Sequence, residues 1–121
     1  MLKLILIAAL IFPSFAKASD WSDADTVREA VYLAVLAIDY GQTRNIAHHP
    51  ENWQEITADW AITSHPSAHQ VDNYFALLAI TQVTIAYLIP AEYRKKFQYI
   101  NIVCEARAVH SNFSLGIGVE F

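Results

Sequence analysis

The stretch Tyr74-Phe-Ala-Leu-Leu-Ala-Ile-Thr-Gln-Val-Thr-Ile-Ala-Tyr-Leu-Ile89, closed by Pro90, decides how the chain is read. Only Thr81, Gln82 and Thr84 interrupt its apolar run, so it predicts a helix that is apolar on most sides. Pro90 lacks the backbone N–H that a continuing helix needs and ends the run. Upstream, Pro66 suits the first helical position, where its missing N–H costs nothing, and the second main helix is predicted from Pro66 to Ile89. Pro90 can in turn open a third helix, running to about Leu115, with Gly116 as its C-cap.

Working back towards the N-terminus, Thr26 with Glu29 makes a capping box, and the first helix is predicted over Thr26 to Ala47. Ser22 with Asp25 offers a weaker, earlier start. Gly41 weakens or ends this helix, and Pro50 forces an end by His49. His48 to Asn73 is a polar middle that contains four of the five histidines, Trp53 and Trp60, but no lysine or arginine. A short helix is expected there around Glu51 to Asp59. No stretch alternates apolar and polar residues between turn signals, so strands are not expected, although the tail Phe113 to Phe121 could be extended. The fold class is therefore all-α: a small bundle of three main helices, with residues 19–121 as a single domain.

Ahead of that domain, Lys3 supplies a positive start, Leu4 to Phe12 is wholly apolar, Pro13 breaks the run, and Ala16-Lys17-Ala18 fits the small-x-small cleavage rule. Residues 1–18 read as a signal peptide, with an uncleaved anchor as the alternative, and cleavage would leave Ser19 first. The run falls short of the roughly 20 apolar residues of a transmembrane span.

At 121 residues the chain has room for one domain. Hydrophobic residues make up 55% and charged residues 17%, which shifts it from the ordinary soluble composition towards a membrane protein or a very apolar small domain. The net charge of -4 argues against a nucleic-acid partner, which needs a basic surface. A single cysteine, Cys104, excludes an internal disulfide and reads as packing on an apolar helix.

The third helix carries Gln98, Asn101, Glu105, Ala108 and Asn112 at spacings of three and four, along one face. The first carries Arg28, Tyr32, Val35, Asp39 and Gln42 in the same way, with Thr43 one turn after Asp39. The second offers Thr81 and Gln82. In water such a stripe is the solvated face of an amphipathic helix, a reading that is strong for the first helix, whose apolar stretch is short. In lipid the logic inverts, and the stripes turn inwards to satisfy one another. The inward reading is the one expected for the third helix. Asp39 and Glu105 then need partners, with Arg28, Arg107, Gln42 and Asn112 as candidates. Glu105→Ala should cost about 1–3 kcal/mol, Glu105→Gln less, and Gln98→Ala little, because Gln98 lies near the basic loop. Arg94, Lys95 and Lys96 form the densest positive cluster, and the positive-inside rule places them in the cytoplasm. The second and third helices then cross the membrane, the polar middle lies on the periplasmic side, and the first helix stays outside or on the interface.

Most catalytic patterns are absent. There is no Gly-x-Ser-x-Gly, no His-Glu-x-x-His and no glycine-rich phosphate loop. His65 and His69 are weak candidates for a metal, because Pro66 makes His65 a cap residue and no cysteine is near. No cofactor is expected. An enzyme built on Asp39 and Glu105 is the third-ranked reading, since nothing in the sequence brings the two together.

Asp39-Tyr-Gly-Gln42-Thr43-Arg-Asn-Ile46-Ala47, then His65-Pro66-Ser67, Val71-Asp-Asn-Tyr74-Phe75, Leu88-Ile-Pro90, and Glu105 with Asn112 carry a resemblance. The chain resembles a group of small bacterial and phage-associated helical membrane proteins that share an Asp-x-x-Gln-Thr segment, a His-Pro-Ser turn and a polar last helix. The resemblance covers most of the chain after residue 26. It implies helical, membrane-embedded proteins and points to no particular activity. Glu55-Ile-Thr-Ala-Asp-Trp-Ala-Ile-Thr63 stands where the group has Glu-x-Asn-Pro-x-Leu-Gly.

The expectation is a non-catalytic inner-membrane protein that acts through helix–helix interaction with a membrane-protein partner or with itself, in contact with the lipid bilayer. The alternative is a soluble helical bundle in the periplasm that binds a protein or a small ligand.

Overall fold

A computed structural model describes residues 20–121 except Thr57. The expected leader, residues 1–18, lies outside the described residues. The chain forms α1 (Asp23–His48), a single turn α2 (Asp59–Ile62), α3 (Ala68–Leu88) and α4 (Ala91–Ser114), with no strand among the described residues. The all-α bundle read from the sequence is the fold.

The boundaries differ from the expected ones for local reasons. α1 starts earlier because Ser22 wins the cap. Its Oγ accepts from Asp25 N at 3.1 Å, and Asp25 Oδ2 accepts from Ser22 N at 2.9 Å. Thr26 is occupied elsewhere, its Oγ1 accepting from Trp21 Nε1 at 2.9 Å. α3 starts later than Pro66 because Ser67 and Gln70 close a second capping box, which leaves Pro66 buried outside the helix. The short helix expected around 51–59 does not form over residues 51–56, and a single helical turn begins only at Asp59. Glu55 ties that segment down by donating from its backbone to Ser64 O at 2.8 Å and accepting from Ala58 N at 2.9 Å. α4 ends as expected, with Leu115 as C-cap and Gly116 at φ +84.

Gly41 neither ends nor bends α1 out of the bundle; the helix continues to His48. A Cβ there would stand 2.4 Å from Val119 Cγ1 and 3.1 Å from Phe121 Cε1, so the glycine lets the C-terminal segment lie directly on the helix. Glu120 N donates to Gly41 O at 3.0 Å, Asn45 Nδ2 to Gly118 O at 3.1 Å, and the Phe121 ring lies 5.9 Å from that of Tyr40.

α1 is the central element, packed along its length on both α3 and α4, which touch each other less. Asp25 pairs with Gln98 near the two N-termini and Asp39 with Asn112 near the far ends, so α1 and α4 run parallel. α3 runs antiparallel to both, with Asp72 beside Tyr40 and Ala86 beside Arg94. Tyr32, Leu36 and Tyr40, one turn apart on α1, meet Ile62, Val71 and Phe75 in the apolar core. Each fully buried large apolar side chain contributes about 1.5–3 kcal/mol.

Candidate functional site

That apolar core occupies one side of α1. Ile102 of α4 also packs against it, and buried polar residues flank it: Asp25, Glu29, Gln42 and Thr43 on α1, Gln82 on α3, and Arg94 and Gln98 on α4. The network divides into two clusters, one charged and cation-rich, the other acidic and free of cations.

The first cluster sits where α1 begins and α3 turns into α4. Arg94 is 1% exposed and uses the whole guanidinium. Its Nε donates to Ala86 O at 2.7 Å and Nη2 to Ile89 O at 2.9 Å, which ties off carbonyls at the α3 end. Nη1 and Nη2 also reach Asp25 Oδ2 at 3.4 Å and Asp20 Oδ1 at 3.1 Å, and the guanidinium lies 5.0 Å over the Trp21 ring. Arg28 pairs with Asp25 and donates from Nε to Gln98 Oε1 at 2.7 Å. Gln98 Nε2 donates to Asp25 O at 3.0 Å and to Glu29 Oε2 at 2.8 Å.

This corrects two expectations. Arg94 is not a free positive charge of a basic loop; of that cluster only Lys95 and Lys96 are exposed. Gln98 is not near-neutral either, because it is fully buried and links three charged or main-chain partners. Gln98→Ala is expected to cost about 1–3 kcal/mol, at least as much as Glu105→Ala, since it strands a buried carboxylate and a guanidinium N–H. Thermal unfolding of the two variants side by side measures this, and a Gln98→Ala midpoint equal to the parent would contradict it.

The second cluster lies near the far ends of α1 and α4. The Asp39 and Glu105 carboxyls are hydrogen-bonded to one another. Asn112 Nδ2 donates to Asp39 Oδ1 and to Gln42 Oε1, each at 3.2 Å. Gln42 Nε2 donates to Val109 O at 3.3 Å and Ile117 O at 3.4 Å, which joins the cluster to the C-terminal segment. Of the four candidate partners for the acidic pair, Gln42 and Asn112 are present in the cluster. Arg28 belongs to the first cluster, and Arg107 is exposed on α4. Thr43 is buried at 2% exposure. Asn101 does not join the cross-helix network; its Nδ2 donates to Phe97 O of its own helix at 2.8 Å.

His65 and His69 are exposed, and His69 Nε2 engages Asn73 Nδ2 at 3.1 Å. No group of His, Cys, Asp or Glu suited to a metal forms around them among the described residues. Cys104, read as packing, is exposed on the outer face of α4.

His48 Nδ1 and His49 Nε2 hold Glu120 at 2.7 Å and 3.1 Å. The His48 hydrogen bond, helped by His49, keeps the Glu120 carboxylate below its ordinary range. A carboxylate lowered on folding contributes stability above its unfolded value of about 4.3, and this is lost as pH falls through the lower folded value. Acidification is therefore expected to release the C-terminal segment, seen as loss of the nuclear Overhauser contact between the Phe121 and Tyr40 rings. Glu120→Gln should remove this acid dependence. A contact that persists unchanged through the carboxylate range in the parent would contradict it.

Arg94, Asp25 and Glu29 carry the network yet were not recognised as site residues from the sequence. Their signal was present: Asp25, Glu29, Tyr32, Leu36 and Tyr40 form one helical stripe, as do Arg94, Gln98, Glu105 and Asn112. The chain matches no protein-family model, no curated protein and no solved structure.

Proposed function

We propose that this chain is a small, non-catalytic membrane-embedded protein that acts through helix–helix contact with a partner or with a second copy. One observation carries the reading: the polarity of α1 and α3 is inverted. Between Thr26 and Ala47 on α1, and beyond Asn73 on α3, no charged side chain is exposed. Arg28, Glu29 and Asp39 turn inwards, and Arg44 is paired with Asp72. The outer faces present Val27, Val31 and Ile38 on α1, Leu77, Ile80, Ile85 and Leu88 on α3, and Tyr99, Ile100 and Val103 on α4. Thr84, on that outer surface, returns its hydroxyl to Ile80 O at 2.7 Å, which satisfies it without water. On α1 and α3 this distribution suits hydrocarbon better than water.

α3 is the described helix long and apolar enough to cross a membrane. Because α1 lies against both α3 and α4 along their length, the geometry favours one common depth for all three over an arrangement that leaves α1 outside. The second reading, a soluble bundle in the periplasm, is favoured by Arg107 and His110, which point outwards on α4. A carbonate wash of isolated membranes separates the two. Retention in the pellet supports the embedded bundle, and release into the supernatant replaces it with the soluble one.

A further inference from the structure

The acidic cluster has a consequence that does not depend on the medium outside the bundle. Two carboxyls that hydrogen-bond to one another need a proton between them, since two carboxylates offer only acceptors. The amides beside them cannot substitute for that proton. Gln42 Nε2 is fixed on Val109 O and Ile117 O, so its Oε1 faces Asn112, whose amide N–H groups are spent on Gln42 and on Asp39 Oδ1. Glu105 Oε2 is buried with no hydrogen-bond partner.

Nor does a cation neutralise the pair. The ionisable groups facing it are Tyr32 from α1, Tyr74 from α3 and Glu55 from the connecting segment. Among the described residues, Arg28 is held by Asp25 and Gln98, Arg44 by Asp72, and Arg94 by Asp20 and Asp25. Lys95, Lys96, Arg107 and His110 are exposed. If both carboxyls ionised, like charges would face each other at hydrogen-bond distance in a poorly solvated site.

We propose that Asp39 and Glu105 together bind a single proton, and that this shared proton is a clasp between α1 and α4. Releasing it replaces a hydrogen bond across the main helix contact with a charge repulsion. The bundle thereby carries a proton-sensitive joint at the end where the C-terminal segment docks through Ile117 onto Gln42.

Infrared spectroscopy of the purified full chain in detergent at neutral pH tests this directly. A protonated carboxyl gives a C=O band separate from the carboxylate bands. The parent is expected to show that band, and the Asp39→Asn/Glu105→Gln double variant to lack it. Absence of the band in the parent overturns the proposal, however the variants behave. Thermal unfolding as a function of pH supplies the second readout. The parent midpoint should fall on the alkaline side, whereas Glu105→Gln, which brings its own N–H to Asp39, should lose that fall. Equal alkaline slopes in parent and variant would show that the joint is not the proton's, and would overturn the clasp.

Discussion

Arg94→Ala is expected to destabilise the bundle by about 3–5 kcal/mol, the cost of removing one partner from a buried ion pair. The substitution leaves Asp25 buried without its Nη1 contact, strips Ala86 O and Ile89 O of their donor, and uncouples Asp20 from α4. Arg94→Lys should recover only part of the loss, because one ammonium cannot span carbonyls and carboxylates that a planar fork reaches together. Lys95→Ala and Lys96→Ala, at exposed neighbours, should stay within about 0.5 kcal/mol of the parent. Chemical or thermal unfolding in detergent decides it. An Arg94→Ala midpoint that matches the two lysine variants would mean that the guanidinium is not structural.

The second large effect concerns the outside. Leu77 is 65% exposed on α3, and in water a lysine there would change stability by no more than about 0.5 kcal/mol. Lysine is also a good helix former, so the helix itself would not object. In hydrocarbon the same Leu77→Lys substitution should cost about 2.5–3.5 kcal/mol, and the chain should be lost from the membrane fraction or shift in depth. Gln54→Lys, at an exposed position in the connecting segment, is the control and should be silent. Equal recovery of both variants from membranes would place the α3 face in water.

The helices were legible because proline and capping chemistry are local. Pro90 separates α3 from α4, Gly116 caps α4, and the apolar run Tyr74–Ile89 has one interpretation. The two displaced helix starts follow from competition between nearby caps: Ser22 outdid Thr26, and Ser67 outdid Pro66. The inward stripe of α4 was legible by its spacing, and Gln98, Glu105 and Asn112 lie on it; α1, whose apolar stretch is short, read as the better candidate for a solvated face, yet Gln42 turns inwards. What the sequence could not supply is register between helices. Only the parallel pairing of α1 with α4 puts Asp25 against Gln98 and Asp39 against Glu105. The burial of Arg94 is hidden for the same reason. Beside Lys95 and Lys96 the residue looks like a third solvated cation, and its burial depends on Asp20 and Asp25 arriving from more than sixty residues away.

Cys104 makes the central claim directly measurable. It is the chain's one cysteine and lies exposed on the outer face of α4, among Tyr99, Ile100 and Val103. A nitroxide attached to it in membrane-reconstituted protein reports its surroundings through collisions with two relaxants, apolar oxygen and a water-soluble nickel chelate. The inverted bundle predicts strong relaxation by oxygen and weak relaxation by nickel. Strong relaxation by nickel with weak relaxation by oxygen would put this face in water and contradict the account.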